Sequence, residues 1–100
     1  MARTAKAASP VVVSVGAGLL AADLVATLAT DRAYPLTLTI SNALNQPLVL
    51  SQAQPIKVIE AGGTITHDCQ TPDQLHDIVF GMIAVGDRLQ QATIGDITAA

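Results

Sequence analysis

An α+β fold is predicted for this 100-residue chain: a small antiparallel β meander or half-sandwich, followed by one amphipathic helix and preceded by an extended N-terminal arm. Three observations carry that expectation. Residues 36–41 alternate strictly, with Leu36, Leu38 and Ile40 set against Thr37, Thr39 and Ser41, the period of a strand with one buried face. Short apolar runs separated by Gly, Pro and Asn turns continue as far as residue 67. At Thr71 the period changes from that of a strand to that of a helix, with a complete start signal.

The chain divides into an apolar arm at 1–34, a β-plus-helix domain at 35–91 and a tail at 92–100. Within the arm, Pro10 opens a β-branched stretch, Val11, Val12, Val13, Ser14 and Val15, suited to extended structure. Gly16-Ala17-Gly18 is a flexible turn. Residues 19–29 read as a short helix with Leu20, Leu24 and Leu28 on one stripe, or as a second extended piece. A leader segment is the competing interpretation, with Arg3 and Lys6 as its positive start, 11–22 as its apolar core and "TLA" at 27–29 as a loose cleavage site. Ser14, Gly16 and Gly18 interrupt that core, and Asp23 sits where such a segment stays neutral. Asp23 also ends the apolar run short of the ~20 residues a membrane-spanning helix needs. So much exposed Val and Leu requires cover, and a neighbouring subunit is the simplest.

In the domain, "NALNQP" supplies a turn after the first strand, and "LVLS" at 48–51 is a short return strand. "QAQP" breaks it, "IKVIE" at 56–60 forms the next, and Ala61-Gly62-Gly63 turns tightly into "TITH" at 64–67. The helix then has Thr71 as N-cap, Pro72 in the first position, Asp73 at the positive end and Gln74 completing a T-x-x-Q capping box. Leu75, Ile78, Met82, Val85 and Leu89 recur at spacings of three and four, with Val79 and Ile83 widening the stripe into a face partly shared with a partner. Gly81 and Gly86 each cost about 1 kcal/mol against alanine, which suits places where another backbone comes close. "ATIGDITAA" is a last short extended piece or an arm.

Composition narrows the class of function. Half the residues are hydrophobic, yet Tyr34 and Phe80 are the only aromatics, so Ala, Val, Leu and Ile make a thin core. A chain this short buries a modest fraction of its surface, which favours a subunit over a soloist. Residues 31–100 carry Arg32, Lys57 and Arg88 against seven acids, a poor surface for phosphate backbones. Direct nucleic-acid binding is therefore not expected. Cys69 is the only cysteine, so no disulfide can form within the chain.

One stretch invites a chemical interpretation. "THDCQTPDQLHD", at 66–77, holds both histidines, the cysteine and three aspartates. His67 and Cys69 would share a face of a strand, with His76, Asp68 or Asp73 as further metal ligands. No paired C-x-x-C or H-x-x-x-H spacing accompanies them, however. As a nucleophile, Cys69 would gain from the nearby helix N-terminus. Against it, His76 lies a turn away, and Asp73 and Asp77 oppose a thiolate. "VGAGLL" and "EAGGT" lack the further features of a phosphate loop. The expectation is a strand-to-helix junction, with no catalytic, cofactor or metal residues.

Residues 35–90 resemble small accessory virion proteins of tailed bacteriophages, of the capsid decoration or cement type. The shared pattern is an alternating strand, a Pro-containing turn into "PLVL", a strand closed by "IEAGGT", and an acid-started helix. Leu38, Ile40, Asn42, Pro47, Leu48, Val49, Gly62, Gly63, Thr64, Asp73 and Leu75 carry it here. The resemblance implies a non-catalytic structural protein of the virion, of the capsid or alternatively of the tail, that binds itself, as a homo-oligomer with three copies the expected number, and other virion proteins such as the major capsid protein. Val11, Val12, Val13, Val15, Leu20, Leu24, Leu28, Met82, Val85 and Leu89 are the expected contact residues. A secreted or periplasmic binding module is the alternative if the leader interpretation holds.

Overall fold

The alternating segment is where the fold is built. In the computed structural model, which describes residues 10–51 and 56–100, it forms a seven-residue strand whose even-numbered residues are buried. Arg3, Lys6 and the "QAQP" break lie outside the described residues. In chain order the elements are β1 (Val11–Val15), α1 (Ala21–Ala29), β2 (Leu36–Asn42), β3 (Leu48–Leu50), β4 (Lys57–Ile59), β5 (Thr64–Cys69), α2 (Pro72–Leu89) and β6 (Gly95–Ala99). The class is α+β, with one main helix.

Two sheets result. A four-stranded antiparallel sheet has the order β1-β6-β2-β5, and β3 and β4 pair as a separate hairpin inserted between β2 and β5. Period-two alternation sorts the large sheet into two faces. Val13, Val15, Leu36, Leu38, Ile40, Cys69, Ile97 and Ala99 point inward and are buried, and Leu28, Leu75, Ile78, Val79, Met82 and Ile83 of the helices belong to the same core. Each fully buried Leu or Ile contributes on the order of 2 kcal/mol of transfer free energy. The outward face is hydroxyl-rich: Val12, Thr98, Thr39 and Thr66 form one row across all four strands, and Ser14, Asp96, Ser41 and Thr64 form the next.

The described part of the expected arm is not an appendage. β1 pairs residue for residue with β6, and α1 packs on β1, β6 and α2. The reason is the tail: 95–99 is extended and lies between β1 and β2, so it offers β1 a backbone partner within the same chain. The tail is likewise no appendage but an inner strand. A cleavage after Ala29 would strip Val13, Val15 and Leu28 from the core.

The helix start folds as its sequence specifies. Thr71 Oγ1 accepts a hydrogen bond from the Gln74 amide at 3.2 Å, and Gln74 Oε1 accepts one from the amide of Gln70 at 2.6 Å, one residue before the usual partner. At the other end Gln90 adopts the left-handed conformation (φ 56°). The amides of Gln90 and Gln91 then donate to the carbonyls of Asp87 and Gly86, a Schellman closure made without glycine. A Cβ on Gly86 would lie 2.6 Å from the Ala17 nitrogen, so the close backbone approach expected at this glycine comes from the chain's own 16–18 turn.

Candidate interaction surface

The junction at 66–77 disperses the groups that its sequence brings together. Ile65, His67 and Cys69 share the inner face of β5, but His67 is half-buried and Cys69 fully buried. Burial, and secondarily the Asp68 carboxylate, pushes the Cys69 thiol up to about 11, the opposite of an activated nucleophile. His76 is exposed on α2, its ring stacked on Phe80 at a centroid distance of 6.0 Å. Among the described residues no group of three or more His, Cys, Asp or Glu side chains is placed to hold a metal ion. No described helix is long and apolar enough to cross a membrane.

Large apolar side chains instead reach solvent in two separate places. The first comprises the two N-terminal elements, where Val12, on the outward face of β1, and Leu20, at the start of α1, are 60% and 67% exposed. Their exposure follows from local rules. Val12 occupies the outward phase of an edge strand, and Leu20 is the N-cap of α1, where it makes no side-chain capping bond. The second is the β3–β4 hairpin and the adjoining turn of α2. Val49 and Val58 face each other across the hairpin register on its outer side, each at least half exposed. A groove of about 300 Å³ runs between the hairpin and α2, lined among others by Pro47, Val49, Phe80, Gly81, Ala84 and Arg88. Phe80, 53% exposed, stands on its rim.

The ten expected contact residues separate accordingly. Val12 and Leu20 are exposed, and Val11, Leu24, Val85 and Leu89 are half-buried and still reachable. Val13, Val15, Leu28 and Met82 are sealed in the chain's own core and cannot meet a partner unless the fold opens. Their periodicity signalled burial, and the cover is intramolecular. The hairpin surface was missed, although Val49 and Val58 sit mid-strand in "LVL" and "KVI" and so occupy the phase opposite to their buried neighbours. Compared with protein-family models, with curated proteins and with solved structures, the chain matches none.

Proposed function

We propose that this chain is a non-catalytic structural protein of a bacteriophage virion, a decoration or cement protein that binds the capsid and stabilises it. One observation carries the reading: a fold with a complete core of its own displays two separate sets of exposed apolar side chains, at β1–α1 and at the hairpin groove. A molecule with two such surfaces is suited to bridging neighbours. Its acidic body favours protein over nucleic acid as the partner, and the major capsid protein is the natural candidate. Residues 35–90 add the resemblance to accessory virion proteins.

The test is reconstitution. Capsids assembled without the chain are mixed with purified protein, sedimented, and heated until they release their contents. Saturable binding at a fixed copy number, with release shifted to higher temperature, is the expected result. Failure to co-sediment at micromolar concentration would remove the proposal.

A further inference from the structure

We propose that two copies of this chain associate through β1, edge to edge about a two-fold axis, to form one continuous eight-stranded sheet. The large sheet has two edges, β1 and β5, and they are unlike. β5 carries features that discourage strand addition: the Asp68 carboxylate on its outer face and half-buried His67 on its inner one. β1 carries none of them. Its five residues are four valines and a serine, and among the described residues it pairs with β6 alone. Such a strand presents an unsatisfied ladder of amides and carbonyls flanked by residues of high β-propensity.

The occupant this edge fits best is another β1. With one edge among the described strands free of such groups, the closed solution is isologous, each strand serving as the other's partner. The sequence is close to palindromic about Val13. A two-fold there sets Val13 opposite Val13, Val11 opposite Val15, and Val12 opposite Ser14, so the inward phase of each strand continues in its mate and the join itself is made by the backbone. The helices support the same axis. α1 lies over β1 and β6, on the inner face, so the two-fold carries α1 toward its symmetry mate. Exposed Leu20 and half-buried Ala21, Leu24 and Val25 are the side chains of that region with apolar surface still to cover. A five-residue strand is a small contact alone, and the α1 pair enlarges it.

The inference deepens the proposed function by naming how copies meet, and it replaces three copies with two. It rests on the capsid reading only for its use. A monomer in solution would overturn the pairing, while particle binding is read out separately.

The test is sedimentation equilibrium of the full chain over a range of concentrations, joined to hydrogen exchange. A mass of two chains is expected, with amides in β1 gaining protection as concentration rises. Val12→Lys should weaken association at least tenfold by placing charge beside the strand pair. Thr66→Lys, on the other edge, should leave the mass unchanged. A mass of one or three chains, a dimer indifferent to Val12→Lys, or a dimer broken by Thr66→Lys would each overturn the proposal. Should Val12→Lys fail to fold, the concentration dependence of β1 exchange in the unaltered chain decides: absence of added protection overturns it.

Discussion

Asn42 is the one buried polar side chain among the described residues, and it holds the hairpin to the sheet. Its amide nitrogen donates to the carbonyls of Gln46, Ile59 and Glu60 at 2.8, 3.0 and 3.2 Å, and its oxygen accepts from the Leu44 amide at 2.9 Å. The sequence showed it only as turn punctuation, because two of its acceptors, on Ile59 and Glu60, lie 17 and 18 residues along the chain. Asn42→Ala leaves those groups without a partner and should cost about 2–3 kcal/mol in urea denaturation. Asn42→Asp should cost more, because a carboxylate would face three carbonyl oxygens. His67 makes a prediction in pH. Burial first, and then the Lys57 charge, holds its pKa below the ordinary value, against an opposing pull from Asp68. The unfolded chain therefore takes up this proton at higher pH, near ~6.5, than the folded one does. The His67 contribution to stability is complete above that pH and is lost as pH falls toward the lowered folded pKa. His67→Gln should flatten that part of the stability–pH curve, measured as urea midpoints between pH 5 and 8 (a range of roughly one to two units either side of the free histidine).

At the scale of elements, legibility followed the locality of the signal. β2 announced itself by strict alternation and α2 by its cap, since both are written in consecutive residues. β1 was legible as a strand, but its partner was not, because pairing with 95–99 spans nearly the whole chain. β6 was hardest to see. Its inward positions are Gly95, Ile97 and Ala99, so only one large apolar residue marks the buried phase. A side chain at 95 would collide with the Ser41 carbonyl, which explains why a strand interior keeps a residue of low β-propensity. Gly86 obeys the same logic on α2. By helix propensity alone Gly86→Ala would gain about 1 kcal/mol. The added methyl would instead press on the backbone of Gly16 and Ala17, at 2.6–2.9 Å, and neither is a side chain that can turn aside. The expected outcome is a net loss of about 1–2 kcal/mol, read as a lower denaturation midpoint.

The whole molecule closes through its C-terminal end, and that is its least expected property. β6 hydrogen-bonds to β1 on one side and β2 on the other. Around it, the Ile94 amide donates to the Val15 carbonyl, the Ala43 amide to the Ile94 carbonyl, and Arg32 Nε to the carbonyl of Ala100. Ile94, Ile97 and Ala99 are fully buried. A chain ending at residue 91 therefore loses more than a frayed end. It leaves β1 without a pairing partner and exposes one whole edge of β2, while three buried residues leave the core. If 92–100 were a tail, its removal would change stability by a few tenths of a kcal/mol at most. As an inner strand, its removal should abolish cooperative folding, because a domain of this size has only about 5–10 kcal/mol of net stability to lose. The truncated chain should show collapsed amide dispersion in a two-dimensional nitrogen–proton spectrum and no sigmoidal melt. A synthetic peptide of residues 92–100, added in excess, should restore the dispersed spectrum by refilling the gap between β1 and β2. A truncated chain that melts cooperatively without the peptide would show that β1 and β2 find another way to close.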